Sequence, residues 1–347
     1  MVRLLTALFL IAGVFPLAIS ASAEIAQAAD QPPPGIGIRL VDVPVATADD
    51  PRARAYIIDH VAPGTVIKRR VQVSNGTDTT SRISMYPAAA EIRGGTFTGA
   101  DGRTKNELSS WISLKPRSPV LGPQKRTFVN VSITVPSQAS RGERYGVVWA
   151  EMTSTPEDGG VTQVSRVGIR IYLSVGPGGA PPSDFTITSL TAARNGQATP
   201  LLHASVRNTG KRALDLNAEL DLSEGPGGIS AGPFTSDSAS TLGIGERGRV
   251  TVKLDKALPR GPWLARIAVT SGLDKRSAQA TVTFPKRTGT ADPVPVERGI
   301  PWWVWPIAVG LLVLLLFVIL LKRWRERAER EDALTVGTED PALVLSP

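Results

Sequence analysis

The stretch Val167-Gly168-Ile169-Arg170-Ile171-Tyr172-Leu173-Ser174-Val175 places an apolar residue at every second position. Side chains of a β-strand point alternately to the two faces of a sheet, so these apolar residues share one face. The pattern predicts a strand with one side in a hydrophobic core.

The same period of two recurs along the middle of the chain, at Val129, Val131, Ile133 and Val135 and again at Leu214, Leu216, Ala218, Leu220 and Leu222. Turn residues such as Pro63-Gly64 and Gly94-Gly95 separate the runs. Away from the two ends, no stretch keeps a helical period over about 12 residues. We therefore expect an all-β fold with two immunoglobulin-like β-sandwich domains.

Changes in composition divide the chain further. Pro32-Pro33-Pro34 indicates an extended entry, and the Gly/Pro-rich residues 176–182 indicate a break between the two sandwiches. The predicted organisation is a signal peptide at 1–23, a Pro-rich linker at 24–35, a first sandwich at 36–176, a linker at 177–183, a second sandwich at 184–285, a juxtamembrane connector at 286–299, a transmembrane helix at 300–321 and a short basic tail at 322–347.

The N-terminus has the pattern of an export signal. Arg3 precedes an apolar run, and Ala21-Ser22-Ala23 follows it as a small-x-small cleavage site. A second such site, Ala26-Gln27-Ala28, leaves the cleavage position open by several residues. An uncleaved N-terminal anchor is the alternative interpretation.

Near the other end, residues 300–321 contain no charged side chain and match the length of a membrane span. Trp302, Trp303 and Trp305 stand at the start of this run, and Lys322 and Arg323 follow it. The positive-inside rule then places the tail in the cytoplasm. We expect a single-pass plasma-membrane protein with extracellular N-terminal domains. A sortase signal around residues 285–289 is an alternative, with one residue too many between proline and threonine.

The residue inventory excludes several kinds of chemistry. The chain of 347 residues contains no cysteine and only two histidines, His60 and His203. Disulfide frameworks, cysteine nucleophiles and thiolate metal sites are thereby excluded. We expect no cofactor, no metal site, no catalytic residue and no enzymatic activity, and no ligand-binding residue can be named.

The charge balance is basic, with 39 Lys and Arg against 31 Asp and Glu and a formal net charge of +8. A basic exported surface attracts anionic polymers or lipid headgroups. Nucleic acid is not expected as a partner, because the basic residues are scattered rather than gathered with aromatic residues.

Three motifs that could carry chemistry have structural explanations. Ser230 lies in a G-x-S-x-G match, but Pro226 and Pro233 flank it, so no helix can start there as a nucleophile elbow requires. His60 is expected to face solvent or to be hydrogen-bonded, rather than to act as a metal ligand or base. Asp49-Asp50 and Asp101-Gly102 lack the ligand spacing of a calcium loop and are expected to be solvated turns.

The two halves of the middle region are weakly similar. Val71-Gln72-Val73-Ser74-Asn75-Gly76 corresponds to Ala204-Ser205-Val206-Arg207-Asn208-Thr209-Gly210, in each case a strand that runs into an Asn/Gly turn. We attribute the turn at Asn75-Gly76 to tolerance of a positive φ.

The first half also resembles a known family. Pro63-Gly64, Val71-x-Val73-x-Asn75-x-Thr77-Asp78, Trp111, Val131-x-Ile133-x-Val135-Pro136 and Tyr145-Gly146 follow one another as in the N-terminal domain of the WxL-interacting cell-surface proteins. The resemblance covers residues 36–175. Apart from the resemblance, we expect the Trp111 ring to lie in the core or at a sheet edge.

That resemblance implies a non-catalytic envelope protein whose first domain binds peptidoglycan. Ala88-Ala89-Ala90-Glu91 departs from the family pattern, and residues 184–285 do not match the family's second domain. The function that we predict from the sequence is binding of cell-wall polymer, or scaffolding of another surface protein. The alternatives are a structural subunit of a membrane complex and, last, an envelope hydrolase.

Overall fold

The computed structural model of the protein describes residues 35–154 and 161–296, together with Pro306 and residues 309–320. Within these ranges the chain up to residue 296 is built from strands, with a few helical turns. The strands form two β-sandwiches, so the predicted all-β architecture is confirmed.

The first sandwich consists of two sheets that pack face to face. One sheet has the order β1-β3-β8-β6, and the other has the order β2-β10-β9-β4-β5, with β7 also paired to β4. Helix α1 (Pro51–Ala55) precedes β2, and helix α2 (Glu107–Ser110) precedes β6. The strands are β1 Ile36–Leu40, β2 Ile57–Val61, β3 Val66–Asn75, β4 Ser81–Arg93, β5 Thr96–Gly99, β6 Ile112–Lys115, β7 Val120–Leu121, β8 Arg126–Thr134, β9 Gly142–Ser154 and β10 Gln163–Val175.

The second sandwich has the sheet orders β16-β12-β11-β19 and β14-β13-β17-β18, with β20 paired to β11 and β15 paired to β13. Its last two strands lie in the segment that the sequence assigns to a connector. The domain boundaries given above stay predictions. The strands are β11 Phe185–Arg194, β12 Pro200–Asn208, β13 Leu214–Ser223, β14 Ala231–Thr235, β15 Ser240–Leu242, β16 Arg247–Lys253, β17 Trp263–Ser271, β18 Asp274–Val282, β19 Gly289–Thr290 and β20 Val294–Pro295.

Each sandwich has its own core, filled by the residues that the period of two selects. In the first, Ile171, Leu173 and Val175 are buried against the opposite sheet. In the second, Trp263 is fully buried, and its Nε1 donates to the carbonyl of Pro259 at 2.9 Å. Gly225 lies against the Trp263 ring, where a β-carbon would overlap the indole. The alternation therefore identified the core-facing residues correctly.

Strand β10 is paired unequally on its two edges. It runs antiparallel to β9 over its full length, from Gln163 to Val175. On the other edge it pairs with β2 in parallel, and this ladder covers only Ile171–Val175. The N-terminal half of β10 thus has one ladder, whereas its C-terminal half has two.

Asn75 closes the loop that follows β3 through its side chain. Its Nδ2 donates to the carbonyls of Thr79 and Leu121 at 2.8 and 3.0 Å, and its Oδ1 accepts from the Thr77 amide at 3.0 Å. Asn75 is fully buried, and Gly76 does not have a positive φ. The expected reason for this turn is therefore wrong, because the asparagine side chain holds it.

Asn208 repeats this arrangement in the second sandwich. Its Nδ2 donates to the carbonyls of Arg212 and Gly243 at 2.8 and 3.0 Å, and its Oδ1 accepts from the Gly210 amide at 3.0 Å. The sequence similarity of the two halves thus corresponds to a buried asparagine in each sandwich. Its side chain satisfies backbone hydrogen-bonding groups of two loops.

The predicted membrane span is described in part. Pro306 and residues 309–320 are helical. In the described parts of the chain, no helix is long and apolar enough to cross a membrane. This finding contradicts the prediction of a single-pass plasma-membrane protein. The rest of 300–321, the signal peptide at 1–23 and the tail at 322–347 lie outside the described residues.

Replacement of Asn208 by alanine should lower the free energy of unfolding by about 2–4 kcal/mol, because it leaves buried carbonyls without donors. Asn208→Asp should cost a similar amount, since it keeps the acceptor for Gly210 but loses the donors. Urea denaturation measures both. Asn217→Ala, at an exposed position of β13, is the control and should stay within about 0.5 kcal/mol of the parent.

Candidate functional site

A buried carboxylate joins the two sandwiches. Asp215 of β13 is 3% exposed, and its Oδ1 accepts hydrogen bonds from the hydroxyls of Tyr172 and Thr241 at 3.0 and 2.9 Å. Nη1 of Arg170 lies 3.3 Å from the same oxygen. Because Tyr172 and Arg170 belong to β10, this one oxygen connects the end of that strand to the second sandwich.

Helix α1 contacts the same junction. Asp50 is its N-cap and accepts a hydrogen bond from the Arg52 amide at 2.9 Å. Arg52 Nη1 donates to the carbonyl of Ala213 at 3.1 Å and lies 4.0 Å from the Asp215 carboxylate. Asp50 is buried, so the expectation of a solvated turn at Asp49-Asp50 is wrong for Asp50. Its carboxylate caps a helix and holds a junction arginine.

Glu143 makes a second polar connection between the sandwiches. Its Oε2 accepts from the Ala213 amide at 2.7 Å and from the Tyr145 hydroxyl at 2.8 Å. Burial raises the pKa of Glu143, and the hydrogen bonds from Tyr145 and Ala213 oppose this rise. Burial also raises the pKa of Tyr145 and of Tyr172, so both phenols stay protonated donors.

Aromatic rings fill the space around these polar groups. The Phe97 and Tyr172 centroids are 5.2 Å apart, and Tyr145 meets both rings edge-on. The Arg170 guanidinium lies 5.0 Å from the Phe97 centroid, where it gains a cation–π contact. The junction is a packed interface that fixes the direction of β10.

The two histidines lie in different sandwiches and do not share a site. His60 lies in β2, and its two ring nitrogens are buried without a hydrogen-bond partner among the described residues. The expectation that it faces solvent or is hydrogen-bonded is therefore wrong. His203 lies in β12 with Nδ1 2.9 Å from the Thr251 hydroxyl, and burial lowers the pKa of His203.

Ser230 is exposed between a 3-10 turn (Pro226–Gly228) and β14, and no helix follows it. The strand-to-helix turn of a hydrolase nucleophile is therefore not formed there. In the part of the chain that the structure describes, no group of three His, Asp or Glu residues could hold a metal ion. Trp111 packs against the first core, and the Arg144 guanidinium lies 5.1 Å from its ring centroid.

The half of β10 before Arg170 presents a backbone edge. One of its two edges pairs with β9. In the described ranges, no strand pairs with the second edge between Gln163 and Arg170. Val164 is 57% exposed and Gly168 is exposed, whereas Val167 packs partly against the core. We call the residues Val164–Gly168 the open edge.

Trp149 of β9 lies beside the open edge on the outer face of the sheet. It is directly opposite Gly168, where a β-carbon would lie 2.5 Å from Cε3 of the indole. The guanidinium of Arg166 lies 4.2 Å from the Trp149 ring centroid. A larger residue at position 168 would therefore collide with the Trp149 ring. This ring and the Arg166 guanidinium form the outer surface of the sheet next to the open edge.

The sequence predicted β10 as a strand but gave no sign of the open edge. Alternation of side chains says which face is buried, not which backbone edges are paired. The parallel ladder with β2 depends on the path of residues 41–56, which has no periodic signal. The prediction that no catalytic, cofactor or metal residue exists stays untested.

No family model matches the chain, and no curated protein matches it. Similar solved structures include one described as the CupB2 chaperone of Pseudomonas aeruginosa, at 9% identity, 65% coverage of this chain, 97% of that chain and a TM-score of 0.36. Another is described as the SafA pilin of Salmonella enterica in complex with the SafB chaperone, at 10% identity, 76% and 96% coverage and a TM-score of 0.39. A PapD-like domain of human CEP192 matches at 11% identity, 50% and 100% coverage and a TM-score of 0.25.

These findings contradict the resemblance to WxL-interacting proteins, because no family model supports it and the similar structures are described otherwise. Pro-Gly turns and alternating strands recur in many β-sandwiches, so the matched residues do not discriminate between families. The prediction of cell-wall binding rested on that resemblance and is contradicted with it. The first two of these structures are described as chaperone structures, which does not contradict the prediction that the chain is not an enzyme.

Glu143→Gln should flatten one part of the pH dependence of stability. The folded-state pKa of Glu143 is raised, so its contribution to stability falls as pH rises from its usual value of 4.5 through the raised value. Glutamine keeps an acceptor for Ala213 and Tyr145 but never ionises. The stability of the variant relative to the parent should therefore increase with pH across that window, as measured by urea denaturation at several pH values. A constant difference would contradict the burial of this charge.

Proposed function

We propose that the protein is a non-catalytic binding module that adds an extended segment of a partner protein to the open edge of β10. An unpaired strand edge offers a row of backbone donors and acceptors, which a second strand satisfies by main-chain hydrogen bonds. The observation that carries the proposal is the unequal pairing of β10, whose parallel ladder with β2 stops at Ile171.

The direction of the backbone groups follows from one hydrogen bond at the end of this ladder. The Gly176 amide donates to the Val61 carbonyl at 2.9 Å, so Gly176 points towards β2. Successive residues of a strand point their N–H and C=O groups to opposite edges. Val164, Arg166 and Gly168 therefore present their backbone groups to the open edge, whereas Ser165 and Val167 face β9.

Other sheet edges in the described chain carry features that oppose pairing. The edge strand β16 carries Arg247, Arg249 and Lys253, and the edge strand β18 begins with Asp274, Lys275 and Arg276. Charged side chains on an edge strand discourage the approach of another strand. Between Val164 and Gly168 only Arg166 is charged, and its guanidinium lies over Trp149. Of these edges, the open edge of β10 is the least protected.

The inner side of the open edge borders the first core. Val167 is partly buried there and Ile169 is 5% exposed, while Ile38 of β1 packs on the same core from the opposite sheet. A strand added to β10 would place alternate side chains over this border and cover apolar surface. Burial of such surface contributes roughly 25 cal/mol per Å². The partner segment that fits is therefore an extended one with apolar residues at alternate positions.

Two of the similar structures are described as a chaperone in complex with a pilin or with a tip adhesion subunit. The likeness has TM-scores of 0.34 and 0.39, which is too low to support a function. The proposal rests on the edge of β10 alone.

Arg166→Pro tests the proposal against Arg166→Ala. Proline removes the Arg166 N–H and places its ring at the open edge, whereas alanine removes the same side chain but keeps the N–H. Partner proteins retained by the full chain from an extract of its native cells should bind the alanine variant as they bind the parent. They should bind the proline variant at least about fivefold more weakly, because at least one main-chain hydrogen bond is lost.

The ladder with β9 does not use the Arg166 N–H, so both variants should unfold thermally within a few degrees of the parent. Val164→Pro is a second edge variant and should reproduce the loss. Equal retention of partner proteins by the proline and alanine variants, with folding intact, would refute strand addition at this edge.

A further inference from the structure

A basic cavity lies on the other border of the first sandwich, between β4 of one sheet and β6 of the other. Its volume is about 370 Å³. The cavity is lined by Arg103, Lys105 and Arg117, by Ser109 and Ser110 of α2, and by the mostly apolar residues Met85, Tyr86, Pro87, Ile112 and Leu114. We call it the basic cavity.

The cavity exists because the outer edge of β4 is interrupted. The Ile83 and Met85 amides donate to the carbonyls of Pro119 and Arg117 at 2.9 and 2.8 Å, and the Ala89 amide donates to the Thr104 carbonyl at 2.8 Å. Pro87, between them on the same edge, has no N–H to donate. The two loops that cover this edge separate at Pro87, and the gap between them is the basic cavity.

Among the described residues, three cations line this gap and no carboxylate does. Two acidic side chains near the cavity are engaged elsewhere: Glu107 pairs with Arg144 at 2.8 Å, and Glu151 accepts a hydrogen bond from the Tyr86 hydroxyl. In the described parts of the chain, no ion pair is recorded for Lys105 or Arg117. The three positive charges repel one another, and an anion bound between them would offset this repulsion.

One of the three cations is held in place in advance. The Arg103 guanidinium lies 4.2 Å from the Tyr86 ring centroid, and its Nη2 donates to the Ser84 hydroxyl at 2.7 Å. A guanidinium fixed in this way loses little side-chain freedom when it binds a ligand. Lys105 and Arg117 enter the cavity from two different loops, one on each side of the gap at Pro87. Cations thus line the gap from both of the loops that border it, although all three side chains are exposed.

We propose that the basic cavity binds a phosphate group. Three cationic side chains supply only donors, so the matching ligand carries several acceptor oxygens and more than one negative charge, as a phosphate does. A carboxylate carries one charge and two oxygens and leaves part of the donor set unused. The phosphate could be free or could belong to a lipid headgroup, and both sources present the same oxygens.

The test is isothermal titration of the full chain with sodium phosphate at low ionic strength. Saturable binding is expected, with sodium acetate binding at least about tenfold more weakly. Lys105→Gln and Arg117→Gln should each weaken phosphate binding about tenfold or more, since each removes a charge-assisted hydrogen bond. Lys256→Gln is the matched control, because Lys256 is an exposed lysine of the second sandwich, in the loop after β16, and the substitution should leave binding unchanged.

Flotation with vesicles separates the two sources of phosphate. Phosphatidylglycerol vesicles that retain the parent, with loss in Lys105→Gln and not in Lys256→Gln, would identify a headgroup phosphate as the ligand. Saturable binding of inorganic phosphate without retention on vesicles would identify a free phosphate. The proposal is overturned if neither probe binds, or if Lys256→Gln weakens binding as much as the cavity variants do. Thermal unfolding of each variant shows that the fold is retained.

Discussion

One buried oxygen, Oδ1 of Asp215, determines how the first sandwich ends. It accepts a hydrogen bond from the hydroxyl of Tyr172 and lies beside the guanidinium of Arg170, so the last part of β10 is held against the second sandwich. Arg52 of α1 reaches the same carboxylate and the Ala213 carbonyl. The chain that leads into β2 is thereby bound at the junction, and β2 starts opposite Ile171. Because β2 starts there, the preceding part of β10 keeps a backbone edge with which no described strand pairs.

The two borders of the first sandwich are finished in different ways. On one border, β10 presents backbone groups and partly buried apolar side chains, which suit an added strand. On the other border, Pro87 removes a donor from β4 and the covering loops bring in arginine and lysine side chains, which suit an anion. Strand addition is disfavoured at the second border, because proline and charged side chains oppose the pairing of edge strands. Two proposals for one domain are therefore compatible, since they use separate surfaces and separate interactions.

How much of this could be predicted from the sequence depends on the range of the interactions. The alternation at Val167–Val175 predicted a core-facing strand, and the similarity around Asn75 and Asn208 marked two equivalent loop closures. Neither pattern shows which strand pairs with a given backbone edge, because register and pairing depend on residues far away in the chain. The interpretation of Asp50 as a solvated residue and the resemblance to a surface-protein family were wrong, because short turn motifs occur in many unrelated contexts. The apolar run at 300–321 predicted a membrane span, but no helix in the described ranges could cross a membrane.

Amide hydrogen exchange along β10, resolved residue by residue in the full chain, shows whether the open edge is free to pair. An alternating pattern is expected, with fast exchange at Val164, Arg166 and Gly168 and slow exchange at Ser165, Val167 and Ile169, whose amides bond to β9. In the presence of a bound partner, the three fast amides should become protected. Uniform protection of all six amides in the unbound protein would show that this edge is already occupied, and strand addition there would be ruled out.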